Sequence, residues 1–448
     1  MKKLLISAAV VFFLAGCEGS QQAVKTEKIP TAYDSLFTEV QRRTFEYFWD
    51  GAEPVSGMAR ERFHVDGVYP QNDANIVTSG GSGFGVMAIL VGIERGFISR
   101  EQAVERYEKI LNFLENADSF HGAWPHWWNG ETGKVKPFSR YDDGGDLVET
   151  AFLVQGLICV REYFKKGNSR EKQISNRIDS LWHKIDWNFY TKGEDVLYWH
   201  WSPQHEWRMN FPVTGYNECL IMYILAASSP THPIDTTAYH KGWAKSGEMV
   251  GHTTQFGYSL SLKHNGAEVY GGPLFWSHYS YLGLDPQGLK DRYANYWEHN
   301  KNHVLINRAW CIENPNNYKG YGEGSWGLTA SYSVNGYAAH MPGKETDRGV
   351  ISPTAALASM PYTPEYSMQA MKYWYDKFGE KLFGKYGFYD AFSETDNWFP
   401  QRYLAIDQGP IVVMMENYRS GLLWNLFMKA PEIQNGLKKL GFESPKLN

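Results

Sequence analysis

Residues 141–160, YDDGGDLVETAFLVQGLICV, set three aspartates around a Gly-Gly pair and then run into a segment that is apolar on nearly every side. A helix with no polar face is buried all round, so this one is expected inside the protein. Five further segments follow a glycine-rich or polar loop in the same way: TSGGSGFGVMAILVGI, PVTGYNECLIMYILAA, GGPLFWSHYSYLG, SPTAALASM and QGPIVVMMENYRSGLLWNLF. They alternate with amphipathic, charged segments such as EQAVERYEKILNFLENA, where Val104, Tyr107, Leu111 and Leu114 share one face. Others of this second kind are expected to start near Tyr33, Ser169, Thr231, Gln287 and Pro364, the one at THPIDTTAYHKGWAKSG being the weakest. Inner and outer segments alternating along one chain predict an all-α (α/α)6 toroid. Three aromatic-polar stretches, DVLYWHWSPQHEWRMN, TQFGYSLSLKHNGAEVYGG and GKYGFYDAFSETDNWFP, predict small β-hairpin loops around its open end. Function is expected at that end, where loops lead into the inner helices.

The acids of the opening stretch exceed what a helix start needs. Asp146 suits an N-cap and Glu149 its reciprocal partner. Asp142 and Asp143 are left over, and if the loop already winds toward helix, Asp142 and Asp146 share a face directed into the barrel. The next inner segment carries Glu218 with no Lys or Arg within a helical turn. A buried, unpaired carboxyl either pairs across the barrel or has a raised pKa suited to proton transfer. Two separated carboxylates among stacking aromatics are what hydrolysis of a glycosidic bond requires.

At the N-terminus, Lys2 and Lys3 precede an apolar run ending in LAGC, the form of a lipoprotein signal. Residues 1–16 are expected to be removed, Cys17 to carry lipid, and residues 17–31 to form a polar tether to a single catalytic domain, 32–448. The remaining cysteines, Cys159, Cys219 and Cys311, are expected as free thiols. Net charge is −5 with no basic block, which argues against a nucleic-acid partner. Aromatic residues make up 16% of the chain, many of them in polar loops where core packing explains them poorly.

Several long motifs carry a resemblance: SRYDDGGDLVETAFLVQGL, PVTGYNE, GYGEGSWGLTASYS, SPTAALASMPYTPE and IDQGPIVVMMENYRSGLLWNLFM, in that order, together with the lipoprotein start. The chain resembles the bacterial glycoamylase-like domain family, which contains glycoside hydrolase family 144. The resemblance implies an (α/α)6 barrel and hydrolysis of β-1,2-glucan with inversion, either within the chain or by release of sophorose from its ends. It also implies that Asp142, Asp146 and Glu218 are the acids on which catalysis depends. Glu218 is expected as general acid and the Asp142/Asp146 pair as the group that orients or deprotonates water, with Asp143 on sugar hydroxyls or the loop backbone. From the lipoprotein signal the expected setting is the bacterial cell envelope, anchored to the outer membrane and facing the periplasm or the cell surface, and the protein is expected as a monomer. The alternatives are another glycosidase, such as a glucoamylase-like or β-glucosidase activity, a polysaccharide lyase, or a glycan-capture lipoprotein without catalysis.

Sugar platforms are expected among Trp124, Trp128, Trp199, Trp201, Trp276, Tyr321 and Trp326, since a pyranose packs its C–H face on an aromatic ring. Glu323 is expected to bind sugar or to order its loop. Asp407 reads first as a cap and Glu416 as the partner of Arg419. Asp390, Glu394 and Asp396 read as a loop rim without calcium-loop spacing. His126, His200 and His278 show no ligand spacing and are expected as hydrogen-bonding residues, with neither metal nor cofactor. The glycines of GGSGFG are best explained by close helix packing.

Overall fold

The structure is a computed structural model that describes residues 34–69 and 73–447. The signal segment, Cys17 and the tether lie outside the described residues. Outer and inner helices alternate as expected: α1 (Asp34–Trp49) outer, α2 (Ser79–Glu94) inner, α3 (Arg100–Asn116) outer, α4 (Leu147–Phe164) inner, α5 (Ser169–His183) outer and α6 (Leu220–Ser228) inner. After the fourth pair come α7 (Tyr296–Glu313) outer, α8 (Pro353–Leu357) inner, α9 (Pro364–Phe378) outer and α10 (Ala405–Ser420) inner. Two short helices, α11 (Leu422–Met428) and α12 (Pro431–Lys439), complete the chain, and α12 packs on α6.

Local chemistry accounts for the helix boundaries. Ser99 with Gln102 and Asn168 with Glu171 form reciprocal capping boxes that start α3 and α5. Gly421, at φ +68°, ends α10 in the left-handed conformation that glycine adopts without strain. The inner helices are buried along their length, α2 from Ser79 to Gly92. A Cβ on Gly83 would meet the backbone of Phe152 and one on Gly156 would meet that of Gly83, so α2 and α4 cross in backbone contact. Close packing is thus the role of these glycines.

The fourth pair departs from the expected pattern. Its outer member is a π-helical turn, Ala238–Trp243, and its inner member two 3₁₀ turns, Leu274–Ser277 and Tyr279–Tyr281. Both segments are rich in residues of low helix propensity, and side-chain bonds to other helices hold them instead. The Ser277 hydroxyl lies 2.8 Å from His303 Nδ1 and His278 Nε2 lies 3.0 Å from the Ser359 hydroxyl. The next outer helix accordingly begins at Tyr296, later than the expected start near Gln287.

Short strands dress one end of the barrel: β1 (Arg62–His64), β2 (Ile76–Thr78), β3 (Trp127–Asn129), β4 (Val135–Lys136), β5 (Gly145–Asp146) and β6 (His200–Trp201) come first along the chain. They are followed by β7 (Val250–Gln255), β8 (Tyr258–Leu262), β9 (Ala330–Ser333), β10 (Gly336–Ala339), β11 (Phe383–Gly384), β12 (Gly387–Phe388) and β13 (Arg402–Leu404). Two of the expected hairpins form, β7 with β8 and β11 with β12. The stretch around Trp199 folds back on itself through isolated antiparallel bridges, Ser202 with Glu206 and Tyr198 with Pro212, while its strand β6 pairs with β5, Gly145 opposite Trp201 and Asp146 opposite His200. Cys159, Cys219 and Cys311 are buried free thiols. Among the described residues no helix is long and apolar enough to cross a membrane.

Candidate active site

Asp142 and Asp146 meet, but not by the helical route expected. The Asp142 N–H donates to Ser139 O at 3.2 Å and its carbonyl accepts from Phe138 N–H at 2.9 Å, a tight turn. The chain then runs extended through β5, and α4 starts only at Leu147. Gly144 is required here: a Cβ would strike the Trp201 carbonyl.

Asp146 is fully buried and works from both oxygens. Oδ1 accepts the Glu149 N–H at 2.9 Å, an N-cap of a kind worth about 0.5–2 kcal/mol. Oδ2 accepts the Trp199 indole N–H at 2.9 Å and lies 3.3 Å from His126 Nδ1. Asp142 faces His200 Nε2 at 3.4 Å, but the Gly144 N–H already donates to that nitrogen at 3.0 Å, so His200 stands there as a neutral imidazole. Oδ1 of Asp142 and Oδ1 of Asp143 are buried without hydrogen-bond partners.

A cavity of about 620 Å³ opens over these groups. Asp142, Glu149, Glu218 and Glu61 line it, with His126 and Arg62 as basic neighbours. Asp146 sits behind this wall. Burial pushes the Asp142 carboxyl up to about 7, helped by negative Asp146 and Asp143 and opposed by His126. Burial likewise raises Glu218 to about 7, although an edge of it reaches the cavity. Glu149 also reaches about 7, through burial first, with His126 opposing and Asp146 and Glu61 adding to the rise.

Glu149 corrects one expectation. It does not reach back to cap Asp146, whose N–H donates to Trp124 O at 2.9 Å. Its Oε2 accepts the Gly80 N–H of α2 at 2.9 Å and its carboxyl faces the cavity. Asp390 and Asp407 correct two more: neither is rim nor cap. Both are buried and stand against each other, so burial and mutual repulsion raise Asp407 well above the carboxylate range, while burial lifts Asp390 to about 6. Glu394 pairs with Lys377 at 2.9 Å, and Asp396 Oδ2 accepts the Ser393 hydroxyl at 2.9 Å. Glu416 bonds Gln41 at 3.2 Å and faces Arg95 at 3.4 Å in place of Arg419.

The aromatic residues are redistributed. Trp124, Trp128 and Trp326 are core side chains. Trp201 packs edge-on against His121 and Phe189, and Trp276 lies over Gly272 beside His264. The Tyr321 hydroxyl donates to Asp347 at 2.8 Å, and Glu323 is exposed on its loop. None of these six rings lines the cavity. The rings that do include Trp127, Trp199, Phe138, Phe211, Tyr332 and Tyr337, with Phe211 53% and Tyr337 58% exposed at its mouth. Trp127 and Trp128 are neighbours on β3, so the pleat sends one to the cavity and the other to the core.

Among the described residues, His126, Asp142 and Asp146 bring three ligand-type atoms within 4.8 Å of one another. Both Asp146 oxygens in this grouping accept hydrogen bonds, from the Glu149 N–H and the Trp199 indole.

A toroid whose loop end gathers carboxyl groups raised toward neutrality, ringed by aromatic side chains, defines a glycoside hydrolase of (α/α)6 architecture. Comparison with known proteins narrows the class. The family described as putative glucoamylase matches residues 210–431. An endo-β-1,2-glucanase from Chitinophaga pinensis, solved with sophorotriose and glucose, is 72% identical and superposes with a TM-score of 0.92 over 92% of this chain and 99% of its own. A structure described as a putative glucoamylase from Bacteroides caccae is 63% identical, with a TM-score of 0.90 over 92% of this chain and 99% of its own. The exo β-1,2-glucooligosaccharide sophorohydrolase of Parabacteroides distasonis is 44% identical over 98% of this chain, which spans 62% of that relative's length. The chain belongs to the glycoamylase-like family of glycoside hydrolases, the type of family 144.

Proposed function

We propose that the protein hydrolyses β-1,2-glucan, with Glu218 as general acid and Asp142 as general base. The observation that carries this reading is that two carboxyls on the wall of one cavity, Glu218 and Asp142, are both raised to about 7. At neutral pH each is partly protonated, which suits one to give a proton and the other to take one. Glu218 donates its proton to the leaving glycosidic oxygen as the C1–O bond breaks. Water attacks C1 from the opposite face and gives its proton to Asp142, so the anomeric centre inverts. Proton exchange with solvent resets both groups. The names of the Chitinophaga and Parabacteroides relatives support the glucan and its linkage. Asp146 holds α4, His126 and Trp199 in register, and the exposed rings at the mouth offer faces on which glucosyl units pack.

Incubation of the soluble chain, starting after Pro30, with linear β-1,2-glucan tests this reading, alongside a Glu218→Gln variant. Mixed oligosaccharides early in the reaction mark internal cleavage, and sophorose alone from the start marks release from chain ends. Binding without cleavage, unchanged in Glu218→Gln, would replace the enzyme with a glycan-capture protein. We also propose that lipid on Cys17 tethers this domain to a bacterial envelope membrane, a reading supported by the LAGC motif. Replacement of Cys17 by Ser should move the protein from the membrane to the soluble fraction.

A further inference from the structure

Glu61, Asp142, Glu149 and Glu218 line one cavity, and Asp146 stands directly behind it. Carboxylates this close cannot all ionise without a counter-charge. His126 is held where it can supply one. Its carbonyl accepts from the Ser79 N–H at 3.1 Å and the Ser79 hydroxyl at 3.2 Å, which pins the backbone. Its ring stacks on Phe138, with centroids 4.1 Å apart and planes 19° from parallel, and meets Trp127 edge-on at 5.6 Å. Pinned in this way, it presents Nδ1 to Asp146 Oδ2 at 3.3 Å, with Asp142 in the same 4.8 Å grouping. The charged groups facing it are Asp146 and Glu149 at the start of α4, Asp142 from the loop before β5, and Glu61 ahead of β1. Of the other bases nearby, Arg62 lies over Trp127, 3.5 Å from Asp73 and 3.9 Å from Glu61 at the edge of the cluster, and His200 takes the Gly144 N–H.

We infer that His126 is a positioning residue that stays an imidazolium through neutral pH and eases ionisation of Asp142 as that group takes the proton of water. The catalytic half of this inference rests on the glucanase reading; the charge state of the ring does not. Burial by itself would lower the imidazole pKa, but Glu149 and Asp146 outweigh it and push His126 up to about 10. Asp142 reaches about 7 even with His126 beside it, so loss of the cation should raise it further.

Nitrogen-15 NMR of the histidine rings between pH 5 and 9 tests the charge state in the intact chain. His126 should remain protonated beyond pH 8, and in Asp146→Asn its titration should fall by at least about one unit. A wild-type ring that titrates near the ordinary 6.5 overturns the inference. In His126→Gln, kcat on β-1,2-glucan should fall about 100-fold with KM within about threefold, and the acid limb of kcat/KM should move up by about one unit. An acid limb that does not move also overturns it. The titration needs no turnover, so a chain that cleaves no glucan would sink the proposed function while the imidazolium is still decided by its own shift. Should His126→Gln fail to fold, the wild-type titration remains decisive.

Discussion

Two sets of carboxyl groups in this molecule are chemically alike and behave in opposite ways. On the outer face, α3 and α5 are laced by ion pairs: Arg170 bonds Glu101 and, at 2.7 Å, Glu108, while Arg177 bonds Glu115 at 2.7 Å. The Arg170 hydrogen bond holds the Glu108 carboxyl below its usual range. In the cavity, Asp142, Glu149 and Glu218 rise to about 7 because burial removes water and, among the described residues, no arginine pairs with them. Solvent and a partner, not residue type, decide whether a carboxyl is inert decoration or a proton carrier. Surface pairs of the first kind contribute little to stability. The second kind is held against its preferred charge state by the rest of the fold, which is why such groups mark functional sites.

The sharpest way to test this contrast is to neutralise a cavity acid. Glu218→Gln and Asp142→Asn should each lower kcat on β-1,2-glucan by about 10²–10⁴-fold, with circular dichroism unchanged. An activity within threefold of wild type would remove that residue from the mechanism.

The next effect is in pH. A base that must be ionised and an acid that must be protonated, both near 7, predict a bell-shaped kcat/KM with its maximum near 7 and about tenfold loss per unit well to either side. A flat profile from pH 5 to 9 would count against both assignments.

Stability should follow the same groups, with the sign set by their raised pKa values. Relative to the unfolded chain, whose Glu titrates near about 4.3, the protonated cavity acid favours the fold. That contribution is complete below the unfolded pKa and is lost as pH rises through about 7. Glu218→Gln should therefore match wild type in Tm near pH 4.5 and exceed it at pH 8, measured by thermal unfolding at both values.

The smallest effect belongs to the outer face. Arg170→Ala should leave kcat/KM unchanged and shift Tm only slightly, and high salt should erase even that shift. A large, salt-resistant loss would mean that the α3–α5 ladder is more than a solvated surface.

Periodicity alone sufficed for the toroid wherever segments were long: α3, α5 and α9 run on apolar stripes spaced for helix, and α2 and α4 are apolar all round. It failed at the fourth pair, where side-chain hydrogen bonds across the barrel outweigh weak helix propensity. The excess of acids in YDDGGD and the lone Glu218 were legible as chemistry because local capping could not use them all. Glu149 was hidden by a plausible capping role, and Asp407 and Asp390 by their distance in sequence. The tryptophans show the limit most plainly. The sequence tells that WW and YWHW carry large rings in polar loops, but not which ring faces sugar, because a pleated strand sends successive residues to opposite sides.

The sequence by itself determined the alternation of helices, close packing at the glycines of GGSGFG, and the surplus of carboxyls at one helix start. Only the tertiary structure decided which of those carboxyls share a cavity, which rings surround it, and that His126 is their counter-charge. Helix periodicity and packing glycines are local properties written in consecutive residues. The charge a buried group carries is set by groups brought to it from α2, α4, β1 and β6, and no local pattern encodes that company.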